Sequence, residues 1–179
     1  MRVTGGKLRG REFTQPSTRS VRPLSGKVIQ ALFDVVGPLD GAVLDAYAGS
    51  GAAGFEALSR GAVLVEAVEA NRPVARIIER NAQGLGLDWG YNLHVMTVET
   101  WLARPAQQDL TPRYQLIIAD PPYAQLDEHV LTRLGGHLAR DGILVISHSG
   151  KRSSPVLESL VLMHSKVYGD SALSFYQPA

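Results

Sequence analysis

Asp45-Ala46-Tyr47-Ala48-Gly49-Ser50-Gly51-Ala52-Ala53-Gly54 is the stretch from which the fold can be read. It follows Val43-Leu44, which opens a buried strand, and residues 49–60 read as a glycine-rich turn that starts a helix. Glycines at such a turn let the backbone pass close to a ligand, with a helix N-terminus directly behind them. Gly49, Gly51 and Gly54 satisfy G-x-G-x-x-G. Asp45, Gly49 and Gly51 satisfy D-x-x-x-G-x-G, where the strand-end acid orients a ligand or the loop itself. A tight βα turn without ligand is the plain alternative, but three glycines and an acid exceed what turn chemistry needs.

Outward from this turn, strand-like and helix-like patterns alternate. Residues 63–68, 93–96, 114–119 and 143–146 read as further strands, and residues 73–85, 99–103 and 127–139 as helices. Two last β-leaning runs, 160–167 and 172–176, meet at Gly169-Asp170. The expected fold is α/β: a Rossmann-like, doubly wound and mainly parallel seven-stranded sheet with an antiparallel C-terminal edge. Toward the N-terminus, Val3-Thr4, Gly5-Gly6 and residues 8–13 suggest a short hairpin. Val28, Ile29, Leu32, Phe33 and Val36 recur at helical spacing between Ser25, a candidate N-cap, and Pro38. Two units are expected: a basic extension over 1–37 and a ligand-binding body over 38–179.

The 179 residues carry a net charge of only +1. This total hides an asymmetry: residues 1–33 sum to +6 and the remainder to −5. A basic segment joined to an acidic body suggests contact with a polyanion, the plain alternative being a solvated arm. Lys7, Arg9 and Arg11 alternate with Leu8 and Gly10, so on a strand they would share one face. The absence of cysteine excludes disulfides, thiolate metal sites and cysteine nucleophiles. There is no apolar run of membrane-spanning length, about 18 residues, and the opening residues have no apolar signal core, so a cytoplasmic protein is expected. The five histidines, His94, His129, His137, His148 and His164, show no ligand spacing, and no metal is expected.

Two further motifs carry chemistry. Glu69 closes the second body strand, where a carboxylate in doubly wound folds accepts both ribose hydroxyls of a nucleoside. Glu66 is a rival but sits mid-strand. Asp120-Pro121-Pro122-Tyr123 follows the apolar run 116–119. Consecutive prolines remove two N–H donors and stiffen the chain, so the carbonyls before them stand as fixed acceptors. Asp120 adds a side-chain acceptor and Tyr123 a planar face, which together suit a planar amine: its NH₂ donates while its ring stacks. The glycine turn alone leaves nicotinamide dinucleotide and S-adenosylmethionine open; a carboxylate at Glu69 disfavours a 2′-phosphate.

The order D-x-x-x-G-x-G, acid, DPPY resembles class I S-adenosylmethionine-dependent amino-methyltransferases. Over essentially the full chain the sequence resembles the RsmD family, bacterial methyltransferases of a guanine N2 in 16S rRNA. Gly5-Gly6-Lys7-Leu8-Arg9-Gly10-Arg11, Arg22-Pro23, Ala31-Leu32-Phe33, LDAYAGSGAAGFEALSRGA and Tyr168-Gly169-Asp170 carry that likeness. The resemblance implies catalysis by Asp120, Pro121, Pro122 and Tyr123. It implies S-adenosylmethionine held by Asp45, Ala48, Gly49, Gly51, Glu69 and the Val98 backbone, the last at the adenine edge. Lys7, Arg9, Arg11, Arg22 and Lys27 would then grip RNA phosphates, the partner being 16S rRNA, a 30S subunit or an assembly intermediate, and the enzyme a monomer. Leu24, Gly26 and Ile29, Ser147-His148, and Thr97-Val98 depart from the usual family pattern. Other readings are an amino-methyltransferase of another RNA or of DNA adenine, a nicotinamide oxidoreductase, and a non-catalytic nucleic-acid-binding module.

Overall fold

The computed structural model describes residues 1–17, 24–104 and 113–179. Seven strands form one sheet: β1 (Ala42–Asp45), β2 (Leu64–Val68), β3 (Tyr91–His94), β4 (Tyr114–Ala119), β5 (Leu138–Ser149), β6 (Leu160–Tyr168) and β7 (Ser171–Pro178). The spatial order is β3-β2-β1-β4-β5-β7-β6. The first five strands pair in parallel, while β7 runs antiparallel to both β5 and β6. This is the expected Rossmann-like α/β sheet with an antiparallel edge.

Helices α1 (Gly26–Val36), α2 (Ala52–Ser59), α3 (Arg72–Leu85), α4 (Val98–Leu102) and α5 (Glu128–Gly135) connect and cover the strands. Ser25 caps α1 by accepting from Val28 N–H, as its position suggested, and Asn71 caps α3 by accepting from Val74 N–H. One apolar cluster joins α1, α2 and α3 to the sheet, and a second joins α4 and α5 to it. No helix among the described residues is long and apolar enough to cross a membrane.

Two local expectations need correction. The helix read over 127–139 stops at Gly135, and β5 begins already at Leu138 rather than at 143. Arg140 and Asp141 lie exposed where the β4–β5 register shifts, so the period-2 signal is interrupted there. At the N-terminus the expected hairpin is short: Arg2 and Glu12 bridge antiparallel, Val3 N–H donates to Arg11 and Phe13 N–H to Met1, and the second arm starts at Arg11 rather than at Leu8. Residues 6–8 form a short 3₁₀ turn instead, with Gly6 at φ +73. A side chain on Gly6 would collide with the Ser59 carbonyl, so the tight approach to α2 requires glycine there.

Candidate active site

β1 is flanked by β2 on one side and β4 on the other, so the strand order reverses at its carboxyl end, where open α/β sheets bind ligands. Asp45 ends β1 there, 3% exposed, and its carboxylate accepts from Gly54 N–H at 3.1 Å. Burial pushes the Asp45 carboxyl up to about 7, with Asp120 and Glu69 nearby adding to the rise. Glu69 follows β2 and accepts from Gly49 N–H (3.0 Å) and Asn71 N–H (2.7 Å). Burial raises its pKa as well. Glu66, by contrast, accepts from the Tyr114 hydroxyl (3.0 Å) and faces His94 (3.3 Å), so mid-strand packing occupies it.

This hydrogen bonding decides what charge the glycine turn can receive. Gly49 N–H goes to Glu69, Gly54 N–H to Asp45, and Gly51 N–H to the Ala48 carbonyl at 2.7 Å. All three glycine donors a pyrophosphate would seek are committed, two of them to carboxylates. An anion placed here meets like charge, whereas an ammonium group and a ribose diol meet acceptors. Glu69 retains acceptor capacity beyond the backbone N–H groups of Gly49, Asn71 and Ala70. The donor set fits an aminoacyl nucleoside better than a dinucleotide. Gly51 itself, at φ +78, forms the left-handed N-cap of α2, where a Cβ would lie 2.7 Å from the Phe55 ring. Ala48 lies buried in the same turn, and Val98, also buried, is the first residue of α4 after the β3 end.

Across β1, the chain leaves β4 through Asp120, half-buried, Pro121, buried, Pro122, exposed, and Tyr123, half-buried. Burial pushes the Asp120 carboxyl up to about 6, and a hydrogen bond from Ser147 partly offsets that rise. The Tyr123 hydroxyl donates to Ser171 Oγ at 2.7 Å and lies 3.3 Å from Ser147 Oγ. Ser147 therefore touches both polar side chains of the DPPY segment. Neither it nor Ser171 was singled out by sequence reasoning, which noticed Ser147 only as a departure from a family pattern. His148 is 2% exposed and lies 2.8 Å from Ser174 Oγ, a packing arrangement that lowers its pKa through burial.

The basic residues of the N-terminal segment are elsewhere. Lys7 sits in the 3₁₀ turn, and Arg9 and Arg11 lie exposed beyond it, so the three do not share a strand face. Lys27 is exposed in the first turn of α1, and Arg22 lies outside the described residues. The segment runs along α2: Thr4 N–H and Oγ1 both donate to Glu56 at 2.7 Å, and Leu8 N–H donates to Ser59 Oγ at 2.8 Å. Phe13 meets the Phe55 ring edge-on at 5.3 Å, and Thr14 exchanges two hydrogen bonds with Asn81 of α3. Val3 and Phe13 thus belong to the same apolar cluster as α2 and α3.

The model of a family described as conserved hypothetical protein 95 matches residues 1–177. The chain is 31% identical to ribosomal RNA small subunit methyltransferase D of Escherichia coli K12, covering 99% of this chain and 89% of that protein. It is 27% identical to the protein of the same name from Haemophilus influenzae, over 99% of this chain and 93% of the relative. Among solved structures, yhhF from Escherichia coli superposes with a TM-score of 0.85 at 27% identity, covering 99% of this chain and 97% of that one. A hypothetical protein of Thermus thermophilus gives 0.78 at 28% identity, with 99% of both chains covered.

Proposed function

Because the chain belongs to the RsmD family, the family of conserved hypothetical protein 95, we propose that it methylates the exocyclic N2 amine of a guanine in 16S rRNA, with S-adenosylmethionine as donor. The observation that carries this reading is Asp120-Pro121-Pro122-Tyr123 at the end of β4, beside the acceptor-lined turn of Asp45 and Gly49 at the end of β1 and Glu69 at the end of β2. When bound, the sulfonium supplies an electrophilic methyl group.

The residues of the chain do the positioning. Glu69 holds the ribose hydroxyls, Asp45 keeps the glycine turn closed, and the Val98 N–H, left free by the first turn of α4, receives the adenine edge. Tyr123, its hydroxyl tied to Ser171, offers its ring to a guanine swung out of the RNA stack. Asp120 and the Pro121 carbonyl accept the two N2 hydrogens. That would draw the nitrogen lone pair out of the ring and orient it for attack, and Asp120 stands to take the N2 proton that a transfer would release. Placement and acceptor electrostatics lower the barrier without a covalent enzyme intermediate.

The direct test is transfer of a labelled methyl group to unmodified 30S particles, free 16S rRNA and duplex DNA, followed by identification of the modified nucleoside. N2-methylguanosine from the ribosomal substrates supports the reading, and transfer to DNA alone overturns it.

A pH profile follows from Asp120. The acceptor is the ionised carboxylate, and its pKa lies near 6 because burial disfavours the charge. The rate of transfer is expected to be flat above pH 7 and to fall about tenfold per pH unit below 6. Ser147→Ala removes the hydrogen bond that lowers this pKa, so the acid limb should move to higher pH. An acid limb unmoved by this substitution would assign it to Asp45 instead.

A further inference from the structure

α3 presents Arg72, Arg76 and Arg80, all exposed, at steps of four residues. Each step advances about 6 Å along the helix, so the three guanidinium groups form one row, on the spacing scale of successive phosphates in a nucleic acid strand. The next position of that row is Gly84, whose carbonyl accepts from the Arg11 guanidinium at 3.2 Å. A basic residue of the N-terminal segment therefore extends a row begun on the helix. Beyond it opens a groove of about 430 Å³ lined by Leu85, Leu87, Val63, Lys7 and Trp89. Trp89 is 68% exposed and Val63 58%. Five cations line this path, against two acids, Glu79 and Asp88, on the helix and the loop that follows it.

We propose that α3 and this groove are a second RNA-binding site, in which the phosphates of a single strand follow Arg72, Arg76, Arg80 and Arg11, and an unpaired base stacks on Trp89 beside Lys7. The inference rests on the RNA substrate proposed above and adds to it a remote contact. The row starts next to Asn71, whose N–H Glu69 accepts, and reaches Gly84 about 18 Å further along the helix. Cations in a row suit a phosphate backbone, and an exposed indole offers a face to any base irrespective of sequence. The lining is mainly apolar with Lys7 as its one charged residue, so a base can stack there with a cation beside it. Base contacts of this kind are made by loop and bulge nucleotides, whose faces are free.

The test uses the whole chain and two probes, a ten-nucleotide oligoadenylate and inorganic polyphosphate of matching charge, read by tryptophan fluorescence. The second tryptophan, Trp101, is 3% exposed, so quenching by a stacked base reports Trp89. Oligoadenylate should quench and polyphosphate should compete without quenching. Trp89→Ala should lose the quench and bind oligoadenylate about tenfold more weakly. Arg76→Ala with Arg80→Ala should flatten the dependence of log affinity on log salt by about 1.4, two single-strand phosphates' worth. In methyl transfer to 30S particles, Trp89→Ala should raise KM about tenfold and leave kcat unchanged. Equal quenching by polyphosphate, an unaltered KM in Trp89→Ala, or protection of Trp89 by a ribosomal protein instead of RNA would overturn the proposal. Wild-type chain that transfers no methyl group to rRNA would instead overturn the function on which it rests, so the two failures are distinguishable.

Discussion

Asp120→Ala is expected to lower kcat for methyl transfer by two to three orders of magnitude, roughly the effect of deleting one preorganised hydrogen-bond partner from a reacting centre. The side chain is held at the end of β4 with a hydroxyl from Ser147 as partner, and in the proposed pose the Pro121 carbonyl is the second acceptor for the amine. Without the carboxylate, an incoming amine has one acceptor for two hydrogens, and its lone pair stays in the ring. Affinity for S-adenosylhomocysteine should change little, because Glu69 follows β2, across β1 from Asp120, and accepts from Gly49 N–H without it. Asp120→Asn keeps an acceptor oxygen but no charge and should fall between the two. Single-turnover rates beside calorimetric affinity for S-adenosylhomocysteine separate the steps. A near-normal kcat in Asp120→Ala would remove this residue from the mechanism.

Glu56→Ala should cost about 3 kcal/mol of stability, the low end of what breaking a buried ion pair costs. Glu56 is 1% exposed and accepts from Thr4 N–H, Thr4 Oγ1 and Arg60 Nε, each at 2.7 Å. Its loss strands the half-buried Thr4 amide and leaves a guanidinium that is 19% exposed without its main partner. Arg60 keeps a long contact to Asp34, at 3.7 Å, and lies over the Phe33 ring, which limits the damage. For a chain of this size the midpoint of thermal unfolding should drop by about 6 to 12 °C. Residues 1–14 should become more susceptible to proteolysis, since Glu56 anchors their midpoint. Glu56→Gln retains an acceptor for Thr4 and should lose less than half as much. An unchanged melting temperature in Glu56→Ala would show that Ser59, Asn81 and the packing of Val3 and Phe13 suffice to hold the segment.

That anchoring was not legible in the chain. Glu56 lies in a run of small and apolar residues, Ala52 to Leu58, and reads as an ordinary polar position on a helix. Apart from Arg60, its partner is Thr4, 52 residues away, on a segment whose charge suggested a separate arm. The alternation of Lys7, Arg9 and Arg11 pointed to a strand, but Ser59 bonds to Leu8 N–H and the Gly5 carbonyl, pulling residues 6–8 into a 3₁₀ turn. Tertiary hydrogen bonds overrode a local pattern there. The arginines of α3 were visible at helical spacing, yet their net effect disappeared in the acidic sum of the remaining chain.

What the sequence determined by itself is the part governed by local covalent demands. Glycines 49, 51 and 54 after an apolar strand, the acid at 69, and the proline pair at 121–122 each restrict the backbone within a few residues. Their order along a βα alternation then suffices to predict the sheet and which strand ends face the ligand. How those groups are held and charged depends on the packed sheet. Ser147 and Ser171 reach Tyr123 across 24 and 48 residues, and burial among several strands moves Asp45 and Asp120 toward neutral pH. Desolvation and long-range hydrogen bonding depend on which atoms exclude water, and that is a property of the packed sheet, not of neighbours in the chain.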